Sequence, residues 1–224
     1  SRMRGLENRI SDLLGDDEAG LDALQKAIRA ARKLPGDGWL ARVREQTPSG
    51  PMEEFLTHIR GQVFARCGQP DSAYSVECTV GEISTELEDA ASKLEKALSA
   101  LATPMTKLAK LLISKLDEEA EELDTATRQR IEAAVQGISR RAALSITPWR
   151  AMLKNITAQT PDGFVDWFAI ERVTGRELDL GYYRSYIDPT GPFAEAILKP
   201  AHGAVITSAT LRDSFEEEER WQAA

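Results

Sequence analysis

The residues whose types most suggest chemistry lie near the carboxyl end, in Ala204-Val205-Ile206-Thr207-Ser208-Ala209-Thr210-Leu211. A short apolar run ending in small hydroxyl residues can place polar groups at the carboxyl edge of a buried parallel sheet, where ligands bind in α/β folds. The plainer alternative is an ordinary Ser/Thr cap for a helix that begins near Asp213. Thr207, Ser208, Ala209 and Thr210 are therefore the first candidate site. Other reactive side chains are few. Cys67 and Cys78 are separated by ten residues, and His58 and His202 lie far from both. A structural zinc site needs about four ligands, so two reduced thiols in a cytoplasmic protein are the expectation, with no metal site.

Charge supplies a second set of candidates. The net charge is −8, from 28 Lys and Arg against 36 Asp and Glu, which excludes a uniformly basic nucleic-acid-binding domain. The charge is nevertheless segregated. Acids dominate from Glu77 to Asp124, whereas Glu132 is the only acid between Thr125 and Gln159. That second stretch carries Arg128, Arg130, Arg140, Arg141, Arg150 and Lys154. Such a basic arm either follows a phosphate backbone or neutralises its acidic neighbour, and charge alone favours neutralisation. Trp149 and Tyr183 are candidates for stacking on a base, although Trp149 falls on an apolar seam and is expected in the core.

The elements that must position these groups are mostly helices. Leu6, Ile10, Leu13 and Leu14 recur at helical spacing until Gly15-Asp16-Asp17, and Leu21, Leu24, Ile28 and Ala31 continue to the break at Leu34-Pro35-Gly36. Pro51 suits the first turn of a helix carrying Phe55, Ile59 and Val63. Tyr74 to Val80 alternates and is expected to be extended. Leu87, Ala91, Leu94, Leu98, Leu101, Met105, Leu108 and Leu112 then form a heptad seam. Ile131, Val135, Ile138, Ala142, Ser145, Trp149, Met152 and Ile156 repeat it. The pattern predicts two long antiparallel helices, kinked or restarted at Pro104 and Pro148. From Pro161 the character changes: Phe164–Glu171 and Leu178–Ile187 are expected to form strands around Thr174-Gly175-Arg176, followed by a short helix after Asp188-Pro189-Thr190. A buried parallel strand is expected at Ala204–Ile206.

Val205-Ile206-Thr207-Ser208-Ala209-Thr210-Leu211 resembles motif III of superfamily 2 helicases in the form used by the DinG/XPD branch. The approach through Asp188-Pro189-Thr190-Gly191-Pro192-Phe193 is similar to that branch as well. So are Arg4-Gly5-Leu6-Glu7 and Phe164-Val165-Asp166-Trp167-Phe168-Ala169. The family inserts a mainly helical arch before motif III, and the arm at Glu86–Ile156 resembles such an insertion. The resemblance implies a mainly α fold: an arch-like region at 1–160 with a long antiparallel helix pair, then a small α/β portion of the first motor domain at 161–224. It implies that Ser208 and Thr210 couple an ATP site to movement along DNA, with Thr207 and Ala209 shaping the turn. It also implies single-stranded DNA and the other helicase domains as partners, and ATP with Mg²⁺ as cofactors of the parent protein.

The sequence departs from a complete motor. It has no Gly-x-x-x-x-Gly-Lys-Ser/Thr loop and no Asp-Glu-x-His box, so the parts that hold phosphates and Mg²⁺ are missing. The chain is expected to be an internal piece of a larger helicase, without catalytic residues or cofactors of its own. A membrane span is not expected. The competing expectation is a non-enzymatic helical module that binds another protein through its acidic face.

Overall fold

The computed structural model describes residues 2–69, 71–205 and 207. It is mainly helical, 59% of residues, with a small three-stranded antiparallel sheet. The chain divides into two compact units, Ser1–Pro161 with Asp166–Arg184, and Asp162–Val165 with Ser185–Ala224.

In the larger unit, α1 (Arg2–Leu14) ends where Gly15 turns left-handed at φ 60°. Helix α2 (Glu18–Ala31) begins three residues later, and the Asp17 carboxylate accepts the Gly20 N–H at 3.0 Å as its N-cap. A short helix follows, α3 (Trp39–Arg44), then the longer α4 (Pro51–Arg66), with proline in its first turn as expected. Strand β1 (Val76–Thr79) precedes the longest element, α5 (Thr85–Glu118), whose N-cap Ser84 accepts from the Leu87 N–H. Asp124 caps α6 (Thr125–Arg141) in the same way. A five-residue π turn, Ala142–Ile146, then leads into α7 (Thr147–Lys154).

Helix α5 meets its partners antiparallel. Glu95, early on α5, pairs with Arg150 and Lys154 at the far end of the return arm, while Leu108 and Leu112 share a core with Ile131. Of the expected seam, Leu94, Leu98, Leu108 and Ile131 are buried, and Val135 and Ile138 are half-buried. The arm is thicker than a helix pair, because α1 and α2 close the same core through Ile10, Leu13, Leu14 and Leu24. Proline does not restart α5: Pro104 is buried within one continuous helix.

Between Ala142 and Ile156, both buried as expected, the seam is wrong by one residue. The Thr147 N–H reaches back five residues to the Ala142 carbonyl, and Pro148, lacking an N–H, sits directly after this wide turn. A π turn adds one residue and rotates everything that follows. Ile146 and Leu153 are buried where Ser145 and Met152 were expected, and Trp149 is turned out, 47% exposed. Proline thus acts by shifting phase and not by breaking the arm.

Strands β2 (Phe164–Val173) and β3 (Arg176–Tyr186) form the expected hairpin, with Thr174 and Gly175 both at positive φ in its two-residue turn. Strand β1 pairs antiparallel with β2, Cys78 opposite Phe168 and Val76 opposite Ile170, in the order β1-β2-β3. Arg60 of α4 ties the sheet down through two hydrogen bonds to Glu177, at 3.0 and 3.1 Å.

In the smaller unit the Phe164 and Tyr186 rings lie 4.4 Å apart, and the Asp188 carboxylate accepts the Thr190 N–H at the start of α8 (Thr190–Phe193), which runs into a second π turn at Ala194–Leu198. The parallel strand expected at Ala204–Ile206 is not found at Ala204 or Val205. Both are irregular and exposed, Val205 at 91%. A parallel strand exists only through hydrogen bonds from neighbouring strands, and none lies beside them among the described residues. Ile206 itself is outside those residues.

Candidate functional site

The groove that gathers the two aromatic candidates lies in the larger unit, between α3, α4, α5, α7 and β3. Its cavity measures about 430 Å³ and is lined by Trp39, Phe55, Leu98, Trp149, Leu180 and Tyr183, among others. Its floor is dry core: Leu94, Leu98, Leu153 and Leu180 are each at most 6% exposed. Each wall has a separate local cause. Trp149 faces the groove because of the π turn before it. Tyr183 is fixed by stacking on Trp167, with ring centroids 5.5 Å apart and planes 16° from parallel. Gly181 makes room for that ring, since a Cβ there would meet its carbons at 3.3 Å. The Tyr183 hydroxyl donates to Glu171 at 3.3 Å. Burial, reinforced by the Glu171 and Asp179 charges, pushes the phenol up to about 12, so Tyr183 is a neutral ring at physiological pH.

The neighbouring Tyr182, which also lines the groove, points to the other face of β3, the core-facing side it shares with Leu180. There Asp166, 8% exposed, accepts from Arg184 at 2.6 and 2.7 Å, from Tyr182 at 3.0 Å and from Thr160 at 3.1 Å. Burial pushes the Asp166 carboxyl up, but Arg184, Tyr182 and Thr160 outweigh it and hold it below the usual range. This network fixes the pitch of β3 under the groove. It is a scaffold for the aromatic wall, since every Asp166 oxygen is already engaged.

The basic residues nominated from sequence separate into distinct roles. Arg150 and Lys154 both turn to Glu95, at 2.8 and 3.5 Å, so at this end the arms do neutralise each other. Arg128 donates to the Ala120 carbonyl and closes the tip between α5 and α6. Arg141 donates to the Gly137 carbonyl at 3.0 Å. Arg130 and Arg140 are exposed, with no carboxylate in ion-pair range among the described residues. The structure therefore does not bring the six together on one surface.

Thr207 is exposed; Ser208, Ala209 and Thr210 lie outside the described residues. Cys67 and Cys78 are free, partly buried thiols, and burial raises the Cys78 pKa. Among the described residues no group of three or more His, Cys, Asp or Glu is placed to hold a metal, and no helix is long and apolar enough to cross a membrane.

The groove was not legible as such in the sequence. Its aromatic residues are scattered from Trp39 to Tyr183, and the phase of Trp149 was misassigned. An apolar cleft with flat rings on its walls is the kind of surface that suits binding, and Asp179 is the one carboxylate in its lining. No family model, curated protein or solved structure matches the chain.

Proposed function

We propose that this chain is the arch-like region, with adjoining motor-domain strands, of an ATP-dependent DNA helicase of the DinG/XPD kind, and that its arm guides single-stranded DNA while other domains of the parent hydrolyse ATP. The observation that carries the reading is the meeting of Trp149 and Tyr183 in one groove. Aromatic platforms bind single strands without reading sequence because every base has a flat face, and each stacked base contributes roughly 1–3 kcal/mol. Replacing Trp149 and Tyr183 singly with Ala is expected to weaken oligo(dT) binding about 5- to 150-fold each. Trp149 is half-exposed, so its loss tests binding with little effect on folding. Unchanged affinity in Trp149→Ala would remove the groove from the DNA path.

The hydroxyl run enters the same reading. Ser208 and Thr210 are proposed to relay the state of the nucleotide site to the DNA path. In the parent enzyme, Ser208→Ala with Thr210→Ala is expected to leave ATP binding near normal and to reduce unwinding more than hydrolysis. If the pair only caps a helix, melting temperature falls with a loss of about 0.5–2 kcal/mol while specific activity holds.

A second reading is favoured by the far end of the arm, where Asp117, Glu118, Glu121 and Glu122 are all exposed. In it the chain is a non-enzymatic interaction module whose acidic tip meets a basic protein surface. Failure of the unaltered chain to bind single-stranded DNA at low salt would favour this alternative.

A further inference from the structure

Asp179 is the only charged side chain in the lining of the aromatic groove, among the described residues. Its place on β3 follows from strand alternation. Leu180 and Tyr182 turn to the core, so Asp179, Gly181 and Tyr183 share the opposite face. Gly181, between the other two, carries no side chain, and the Tyr183 ring lies back over it. A Cβ at Gly181 would meet Cε2 and Cζ of that ring at 3.3 Å and its hydroxyl oxygen at 3.4 Å. The hydroxyl edge of the ring is thus directed toward Asp179, its next neighbour on that face. Burial first, then the Glu171 and Asp179 charges, pushes the Tyr183 phenol up to about 12, so the Asp179 charge is felt at that edge.

The Asp179 side chain is exposed, and no cation pairs with it among the described residues. One of its oxygens, Oδ1, accepts the Leu180 N–H at 2.8 Å. That bond fixes the orientation of the group and leaves lone pairs on both oxygens. The Tyr183 hydroxyl is already given to Glu171, so the polar group that β3 still offers to a ligand is an acceptor fork. A carboxylate donates nothing, and it holds two parallel N–H donors better than one. With no Lys or Arg in the lining, the groove has nothing to attract a phosphate. It suits the flat, uncharged part of a nucleotide.

The bases differ in what they present to such a fork. Guanine has two adjacent donors, N1–H and the N2 amine. Adenine and cytosine each set one amine beside an acceptor nitrogen, and thymine sets one N–H between two carbonyls. Unstacked bases are commonly held with the ring on an aromatic side chain and the Watson–Crick edge on a polar group. We propose that the aromatic groove prefers guanine, with the base against the Tyr183 ring and its N1–H and N2 amine donated to the Asp179 carboxylate. This inference rests on the single-strand reading above and adds a base preference to it. The rings accept any base, and the carboxylate selects among them.

The test measures, by anisotropy, binding of fluorescent oligo(dT) and of strands of the same length with guanine or hypoxanthine at every third position. Hypoxanthine keeps N1–H and lacks the N2 amine, so it removes one of the two donors. The unaltered chain is expected to bind the guanine strand about 5- to 30-fold more tightly than oligo(dT), the lower part of the range for a bidentate base contact because Asp179 is exposed. The hypoxanthine strand is expected to fall between them. Asp179→Asn keeps an acceptor for the Leu180 N–H but turns one prong of the fork into a donor. In that variant the guanine preference is expected to disappear while affinity for oligo(dT) does not fall. Unchanged circular dichroism and melting temperature check that it folds. Equal affinity of the unaltered chain for all three strands, or a guanine preference that survives in Asp179→Asn, overturns the proposal. If Trp149→Ala still weakens oligo(dT) binding in that case, the single-strand reading stands without the preference. Absence of binding to every strand by the unaltered chain overturns both.

Discussion

Leu98→Ala is expected to lower stability by about 2–5 kcal/mol, the range for deleting a fully buried leucine and leaving a cavity. Leu98 is 1% exposed. It lies in the core that joins α4, α5, α7 and the sheet, and it also forms part of the aromatic groove's floor. Its neighbours come from elements already held elsewhere, so they cannot collapse far into the space. For a chain of this size the loss corresponds to a melting-temperature fall of roughly 2–4 °C per kcal/mol. Ile113, on the same helix but 44% exposed, is the matched control, and its replacement by Ala is expected to change stability by no more than about 0.5 kcal/mol. Denaturant midpoints of the two variants decide the matter. Comparable effects at both positions would contradict the assignment of which face of α5 is core.

The second large effect belongs to Glu53. Its carboxylate is 1% exposed and accepts from Arg42 at 2.5 and 2.8 Å and from the Ser49 N–H at 2.8 Å. These bonds tie α3, the following loop and the first turn of α4 into one corner. Removing Arg42 strands the carboxylate. Arg42→Ala is expected to cost toward the lower end of about 3–5 kcal/mol at neutral pH, because Arg42 keeps 32% of its own side chain in water.

The pH dependence of that loss has a definite sign. The Arg42 hydrogen bond, followed by the Ser49 N–H and the Arg42 charge, holds Glu53 below its ordinary 4.5 against the pull of burial. The unfolded state therefore binds the proton more readily than the folded state. The pair's contribution is complete above about pH 4.5 and is lost as pH falls through the lowered folded value. Without Arg42, burial dominates and the carboxyl moves up, so the variant is relieved by protonation. The gap between parent and variant is expected to be widest near neutral pH and to narrow as the solution is acidified. A gap that stays constant with pH would mean that Arg42 acts by packing its stem, not by compensating charge.

Much of the fold is written in local chemistry. Asp17, Ser84 and Asp124 start helices because each can accept an N–H from the first turn, and Gly15 stops one because it tolerates a left-handed backbone. The hairpin follows from two strand-forming runs separated by Thr174-Gly175. The antiparallel pairing of the long arm follows from two apolar seams that cannot be buried alone. Capping and periodicity act over a few residues, so a linear reading captures them. The same reading nominated the hydroxyl run at Thr207–Thr210 and the basic stretch from Arg128 to Lys154, because both are continuous in sequence.

What the linear pattern could not supply is phase and convergence. A heptad reading assumes constant rotation per residue, and the π turn at Ala142–Ile146 violates it once, carrying Trp149 from the expected core to the wall of a groove. Whether a proline is met by a kink, a break or an added residue depends on packing from both sides. Pro104 and Pro148 differ for that reason: the first is enclosed in the core, and the second sits exposed after a turn that has already widened. Convergence is equally non-local. Arg150 and Lys154 became partners of Glu95, whereas Arg29, Lys33, Lys96 and Lys107, unremarkable in sequence, came to face one groove. Sequence by itself determined most of the helices, the hairpin and the buried face of α5, but not the irregular backbone at Ala204 and Val205 or the phase of the arm beyond Ala142. Only the tertiary structure decided which charges are cancelled and which rings meet, because those depend on side chains far apart in the chain being packed against the same helix.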